Sequence, residues 1–178
     1  KNACVFISGY GSNLKKLIFI SSTSVFENSE APFKVYNEKS LPNAESKVGK
    51  QLYQVEKRLM ELDTIETKII RFSGLFNNER HPAKFLSSKT TSNPQSPVNL
   101  IHLEDCINLL LKVLTLNTNQ NIFHGVNPNH PSREKFYSEK CSEFNIKPPH
   151  FVSKNDTGKI IMGDLTSNTL DLEYLNEL

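Results

Sequence analysis

The sequence predicts a doubly wound α/β fold, in which helices cover both faces of a parallel sheet, with strand–helix units missing after the first strand. Two observations predict it. Apolar runs rich in β-branched and aromatic residues are continuous rather than alternating, which is typical of strands buried on both faces. Strand patterns then alternate with helix patterns along most of the chain, as they do when a helix connects each parallel strand to the next.

The first two predicted strands cover residues 3–8 and 17–21, and both read as central strands of a parallel sheet. The clearest helix follows over residues 46–62. Its apolar residues recur at intervals of three or four positions, so they predict a single buried face. These residues are Val48, Leu52, Val55, Leu59 and Leu62.

The second half of the chain continues the alternation. Its predicted elements are a strand at 67–71, a strand at 98–101, a helix at 104–114 and a strand at 121–124. The helix at 104–114 has apolar residues at Ile107, Leu110, Leu111 and Leu114. Ser132 is a suitable N-cap for a last helix running to about residue 144. The segment after Pro148 is expected to be irregular.

The turn after the first strand does not fit this scheme. Gly9-Tyr10-Gly11 opens like a phosphate-binding turn, but Leu14 stands where the third glycine of that pattern belongs. Only about five residues separate Gly11 from the next strand, whereas a parallel crossover needs a dozen or more. We therefore expect a missing segment near residues 12–14.

Composition excludes several classes of function. Twenty-one Lys and Arg stand against nineteen Asp and Glu, with both signs interspersed and a net charge of +2. A nucleic-acid-binding stripe is absent from this pattern, so we expect no nucleic acid partner. The longest apolar runs are far shorter than the ~20 residues that span a bilayer, so we expect no membrane anchoring.

The cysteines and histidines indicate neither disulfides nor a metal site. The three cysteines, Cys4, Cys106 and Cys141, are odd in number and widely spaced, and the five histidines show no metal-ligand spacing. A reducing compartment fits this usage, so the expected location is the cytoplasm and the expected metal content is none.

Several segments resemble one enzyme family. Residues 16–26 (KLIFISSTSVF) look like the strand and active-site serine segment of extended short-chain dehydrogenases/reductases, the NAD-dependent epimerase/dehydratase family. Residues 71–76 resemble that family's strand and turn after its Tyr-x-x-x-Lys helix, and residues 98–106 resemble a later strand leading into a helix. Residues 130–137 resemble its atypical, sugar-nucleotide-epimerase-like branch.

The resemblance implies a Rossmann-like sheet and explains the misfit after Gly11. Family members have further strand–helix units before the serine strand, and two or three missing units of roughly 30 residues amount to ~60–90 residues. We therefore expect an NAD(P)-binding Rossmann-like domain at residues 1–126 and a small, irregular substrate-side region at residues 127–178.

The family's reaction needs a Tyr acid, a nearby Lys and a Ser or Thr that binds the substrate oxygen. Aligning Val25-Phe26 with the family's Val-Tyr assigns the catalytic serine to Ser22. Its neighbours Ser21 and Thr23 are then expected at the cofactor and the substrate, respectively. Alternatively, this hydroxyl cluster satisfies backbone groups at a strand end.

The other two catalytic residues are missing from the expected positions. When Glu56 is aligned with the family's helix glutamate, Val48 stands at the Tyr position and Leu52 at the Lys position. Neither side chain can carry a proton. Nearby residues that could substitute are Tyr36, Tyr53, Lys47 and Lys50.

The resemblance also implies binding residues. Gly9 and Gly11 are expected to let the backbone approach the cofactor pyrophosphate, and Arg71 and Gly74 to line its nicotinamide side. The cofactor is NAD or NADP. The expected substrate is a small molecule such as a nucleotide sugar, contacted by the two side chains Arg80 and His102. An exposed loop arginine and a structural histidine are the alternatives at these positions.

Three hypotheses remain open from the sequence. The chain is an epimerase, dehydratase or reductase with a degenerate Tyr/Lys site; or it is a dinucleotide-binding sensor or scaffold; or it is a partner-binding α/β domain without a cofactor. The helix over residues 46–62 is the surface on which related enzymes pair, so a homodimer is a possible assembly.

Overall fold

The computed structural model describes residues 14–152 and 155–178. The expected strand at 3–8, Gly9, Gly11 and the start of the expected gap lie outside these residues. The strands in chain order are β1 (Lys16–Ser22), β2 (Ser29–Glu30), β3 (Lys34–Tyr36), β4 (Glu66–Phe72), β5 (Gly74–Phe76), β6 (Thr90–Ser92), β7 (Leu100–His102), β8 (Ile122–Gly125), β9 (His150–Val152) and β10 (Thr157–Ile161). The helices are α1 (Lys47–Met60), α2 (Pro82–Leu86), α3 (Leu103–Thr115), α4 (Arg133–Glu143) and α5 (Asp164–Leu170).

Each element predicted within the described residues is present, with its ends shifted by a few residues. The central sheet is parallel and has the order β1-β4-β8. Ser22 pairs with Phe72, and Phe72 pairs with Gly125, so the three strands end at one common edge. A doubly wound sheet binds its ligands outside this carboxyl edge.

Helix α1 packs on one face of the sheet, but its buried stripe differs from the predicted one. Val48 is 62% exposed and Val55 is 39% exposed, whereas Gly49, Glu56 and Leu59 are buried. The predicted face is therefore wrong at Val48 and Val55, because the buried stripe runs through a glycine and a paired carboxylate, neither of which hydrophobic periodicity counts as apolar.

Helix α3 covers the opposite face. Its side chains Cys106, Leu109 and Val113 pack against Ile70 and Phe72 of β4. Of the apolar residues used to predict this helix, Leu110 packs against the same cluster, whereas Ile107, Leu111 and Leu114 are about half exposed. The helix is apolar around most of its circumference, so the sequence could not single out the side that faces the sheet.

The chain after Pro148 is regular, contrary to the expectation of an irregular tail. It forms β9, β10 and α5. Strand β10 pairs antiparallel with β2 and parallel with β3, so the C-terminal region shares a sheet with the segment that follows β1. Strands this short gain their stability from partners distant in sequence, which a local pattern cannot reveal.

The helices of residues 14–152 and 155–178 include none with the length and apolar character that a bilayer crossing requires.

Candidate functional site

Ser22 is the last residue of β1 and lies at the carboxyl edge of the central sheet. The chain then enters a 3-10 turn, Thr23–Val25, with Ser22 as its N-cap and Phe26 as its C-cap. We call residues 22–26 the serine turn. The Ser22 Oγ accepts a hydrogen bond from the Ser24 N–H at 3.1 Å. This contact is the one expected if the hydroxyl cluster satisfies backbone groups at a strand end. It uses an oxygen lone pair and leaves the hydroxyl hydrogen for donation to a ligand oxygen.

A buried ion pair lies directly beneath the serine turn. The Ser21 hydroxyl donates to Glu56 Oε1 at 2.6 Å. The Arg71 guanidinium donates to both oxygens of the same carboxylate, from Nε at 3.1 Å and from Nη2 at 2.7 Å. Arg71 and Glu56 are only 1% and 2% exposed. This two-point pairing fixes the carboxyl ends of β1 and β4 against helix α1.

Aromatic rings extend this cluster. The Arg71 guanidinium lies 5.2 Å from the Phe26 ring centroid, and Phe26 stacks on Tyr36 at 4.5 Å. His124 meets Phe26 edge-on at 5.6 Å, and its Nδ1 lies 2.9 Å from the Met162 carbonyl oxygen, to which it donates. Burial, together with the nearby Arg71 charge, lowers the pKa of His124 to about 4. His124 is therefore neutral at pH 7.

Helix α1 begins against the serine turn because residue 49 is a glycine. A Cβ atom at Gly49 would lie 2.2 Å from the Ser24 carbonyl oxygen, so a larger residue would force the helix away. One residue earlier, the Val48 side chain is largely exposed, and Leu52 packs against the cluster that contains Phe26. The positions aligned with the family's Tyr and Lys thus carry hydrocarbon close to the turn.

The four residues considered as substitutes for the missing Tyr and Lys lie in different environments. Tyr36 is buried, and its hydroxyl oxygen accepts from Asn43 Nδ2 at 3.2 Å. Tyr53 packs against the same cluster as Phe26, while Lys47 and Lys50 are exposed on α1. A catalytic role for any of them stays a prediction.

A cleft lies beside strand β5. It has a volume of about 860 Å³, and Gly74, Arg80, His81, Phe85 and Leu103 line it. The Arg80 side chain is exposed, while its backbone N–H donates to Asn77 Oδ1 at 2.6 Å. This cleft therefore combines an exposed cation with apolar side chains.

Two histidines flank this cleft as helix caps. His81 and His102 meet Phe76 edge-on at 5.2 Å, and their Nδ1 atoms accept backbone N–H groups at the starts of α2 and α3. Burial, followed by the charges of Lys140 and Lys84, lowers the pKa of His81 to about 4. The capping contact is the structural role weighed for His102, and its contact with a substrate stays a prediction.

A second cleft, of about 480 Å³, opens at the serine turn itself. The residues around it are Ser24, Glu27, Glu45, Ser46, Thr157 and Lys159. The Lys159 ammonium donates to the Phe26 carbonyl oxygen at 2.5 Å. Sequence reasoning missed Lys159, because it lies in the segment expected to be irregular and belongs to no motif.

The structure therefore groups the predicted residues into two places. Ser21, Ser22, Thr23 and Arg71 lie at the carboxyl edge of the central sheet, whereas Gly74 and Arg80 line the cleft beside β5 and His102 caps α3 nearby. Gly9 and Gly11 lie outside the described residues. Within residues 14–152 and 155–178, no group of three His, Cys, Asp or Glu side chains could hold a metal ion.

No model of a known protein family matches the chain. Among curated proteins, it is 32% identical over 169 residues to protein YeeZ of Escherichia coli K12, a match that covers 94% of this chain and 61% of YeeZ. The chain thus spans about three fifths of the length of the curated relatives it matches.

Solved structures match almost the whole chain. A functionally unknown conserved protein from Silicibacter pomeroyi has a TM-score of 0.82 at 12% identity, over 98% of this chain and 67% of its own. The dTDP-glucose 4,6-dehydratase of Bacillus anthracis, solved with NAD, has a TM-score of 0.79 at 11% identity, over 98% and 60%. MoeE5, solved with UDP-glucuronic acid and NAD, has 0.76 at 13% identity, over 99% and 63%.

The fold is Rossmann-like. All three matched structures share this fold, two of them were solved with NAD, and the share of each that the chain spans fits the incomplete fold expected from the sequence.

Proposed function

We propose that the chain is an NAD(P)-binding protein of the epimerase/dehydratase family that acts on a nucleotide sugar or a related small molecule. One observation carries the proposal. Ser22, the residue aligned with the family's catalytic serine, ends β1 at the carboxyl edge of the sheet, with its hydroxyl hydrogen available and a buried ion pair fixing the strand beneath it. The likeness of the chain's fold to the NAD-bound dTDP-glucose 4,6-dehydratase supports membership of the family.

The residues at this edge suit a dinucleotide. Ser22 ends β1 and Gly74 comes two residues after the end of β4, and both are small, so they leave room beside the carboxyl edge where ligands bind in this fold. A bound nicotinamide supplies hydride transfer. We assign donation to the substrate oxygen to the Ser22 hydroxyl and support of the strand end to Ser21 and Arg71. Gly9 and Gly11 are assigned to the pyrophosphate.

The cleft beside β5 is our candidate for the nucleotide portion of the substrate. Its apolar residues Phe85 and Leu103 can contact a base, while the exposed Arg80 can pair with a diphosphate. Thr23 and His102 complete the proposed substrate contacts. NAD and NADP both remain candidates for the cofactor, and MoeE5, like the Bacillus anthracis dehydratase, was solved with NAD.

A sensor or scaffold role is the second candidate, and one observation favours it. Val48 and Leu52 stand at the positions aligned with the family's Tyr and Lys, so the usual proton relay is missing there. Such a protein would bind the dinucleotide without transferring hydride.

Two further assignments belong to this proposal. We assign residues 1–126 to the cofactor side and residues 127–178 to the substrate side, with the protein located in the cytoplasm. The exposed face of α1, which includes Val48 and Val55, is our candidate for pairing with a second copy of the chain.

The test is conversion of nucleotide sugars by the purified protein supplied with NAD or NADP. Liquid chromatography separates product from substrate over a panel of UDP- and dTDP-sugars, because epimerisation and dehydration return the hydride to the sugar and leave no net NAD(P)H. If the proposal holds, Ser22→Ala lowers turnover at least about 100-fold, the usual scale for a lost proton-donating group, and Ser22→Thr restores part of it. Ser138→Ala, on the exposed side of α4, is the matched control and has no effect.

Three outcomes separate the candidates. Dinucleotide binding, seen as a higher melting temperature, without any turnover supports the sensor role. Turnover that survives Ser22→Ala contradicts the assignment of Ser22. Absence of both binding and turnover contradicts the two candidates together.

A further inference from the structure

Lys159 reaches the serine turn from the C-terminal region. It lies in β10, which pairs with β2 and β3, and its ammonium donates to the carbonyl of Phe26, four residues after Ser22. The Phe26 N–H in turn donates to the Thr23 carbonyl oxygen and closes the 3-10 turn. A single lysine therefore links β10 to the segment that carries the proposed catalytic serine.

The charge of Lys159 is not neutralised by a neighbouring carboxylate. The ion pairs of the described residues join other lysines to acidic groups, and Glu27, which lines the same cleft, pairs with Lys34. Burial lowers the pKa of Lys159. One of the three ammonium hydrogens is used by Phe26, so two remain for an acceptor in the cleft.

The other cleft residues indicate the chemistry of that acceptor. Glu27 and Glu45 offer carboxylate oxygens, and Ser24, Ser46 and Thr157 offer backbone or hydroxyl groups. Carboxylate oxygens accept hydrogens from neutral hydroxyl groups, and the Lys159 ammonium donates to hydroxyl oxygens. A volume of about 480 Å³ accommodates a hexose. The mixture of donors and acceptors therefore suits a polyhydroxylated ligand.

We propose that this cleft binds the sugar portion of the substrate and that Lys159 donates to one of its oxygens. Glu27 and Glu45 accept hydrogens from the sugar hydroxyls. The inference rests on the proposed function, because it presumes a nucleotide sugar, and it adds a specificity-determining residue that the family resemblance did not supply.

Calorimetric titration of the NAD-saturated protein with UDP-glucose and, separately, with UDP tests this inference. Lys159→Met is expected to weaken UDP-glucose binding at least tenfold and to leave UDP binding unchanged, because UDP lacks the sugar. Lys159→Arg, which keeps the charge, retains part of the affinity. Lys135→Met, on the exposed face of α4, is the matched control and binds both ligands normally.

A second measurement uses the unaltered protein, in case Lys159→Met does not fold. Acetic anhydride acetylates the lysines, and mass spectrometry compares Lys159 with Lys135. UDP-glucose is expected to lower acetylation of Lys159 at least fivefold, whereas UDP is not.

The inference is overturned if Lys159→Met weakens UDP and UDP-glucose equally, if it weakens neither, or if UDP-glucose does not protect Lys159. NAD binding without UDP-glucose binding also overturns it while leaving the proposed cofactor role intact. Absence of NAD binding is a failure of the proposed function itself, and UDP-glucose protection of Lys159 under that condition would still support the sugar site.

Discussion

Two arginines that the sequence placed in the same cleft occupy opposite environments. Arg71 is 1% exposed and donates to both oxygens of Glu56. Arg80 lies nine residues later on an exposed loop, beside a cleft of about 860 Å³. Arg71 lies in strand β4 and Arg80 in the loop after β5, and both resemble residues that line the family's ligand cleft.

The difference shows how a fold uses the same residue type for two purposes. A guanidinium that is removed from water needs a partner of opposite charge, so Arg71 is tied to Glu56 and holds the strand ends in place. Arg80 is exposed and keeps its hydration, so its charge is available to a diphosphate. Removing Arg71 or its partner should therefore affect folding, whereas removing Arg80 should affect binding.

The largest expected effect is on the buried pair. Glu56→Ala leaves the buried Arg71 charge and the buried Ser21 hydroxyl without their acceptor. We expect a loss of about 3–5 kcal/mol in the free energy of unfolding, the usual cost of breaking a buried ion pair. Urea unfolding of the wild type and the variant measures this loss.

The double variant Glu56→Met with Arg71→Met provides the control for that experiment. It replaces both charges by apolar side chains, so we expect it to recover much of the lost stability. A loss below about 1 kcal/mol in Glu56→Ala would mean that the pair does not hold the strand ends together.

The smallest expected effect on stability is at Arg80. Arg80→Ala changes an exposed loop side chain, so the free energy of unfolding should stay within about 0.5 kcal/mol of the wild type. UDP binding should weaken about tenfold, because a charge-assisted contact to the diphosphate is lost. Calorimetry measures the affinity for UDP. Lys84→Ala is the control, because Lys84 is exposed and borders the same cleft, and it shows whether loss of any nearby cation weakens UDP binding.

If Arg80→Ala leaves the affinity for UDP unchanged, Arg80 does not pair with the diphosphate. A loss of stability comparable to that of Glu56→Ala would remove the contrast between the two arginines.

The sequence predicted the central sheet because its strands are continuous apolar runs, and α4 because Ser132 caps it as expected. It missed β10 and Lys159, since a five-residue strand depends on pairing with β2 and β3. It also misassigned the buried face of α1. Burial of Glu56 depends on the distant Arg71, and no periodicity in one helix can show that.

For the site, the family resemblance of segment 16–26 predicted that Ser22 ends a strand at the carboxyl edge of the sheet, and the structure shows it there. The resemblance did not separate the supporting Arg71 from the accessible Arg80. Arg71 is buried because helix α1 covers one side of β4. No local pattern in the sequence shows which side the helix covers.

Amide NMR titration with NAD tests the central claim most directly, because it locates the dinucleotide on the chain. The account predicts the largest chemical-shift changes at Ser22 and Thr23, at the carboxyl edge of the sheet, and at Gly74, two residues after the end of β4, with small changes at the start of β1 around Lys16. Changes centred on the opposite edge, or no changes with saturating NAD and NADP, would contradict it.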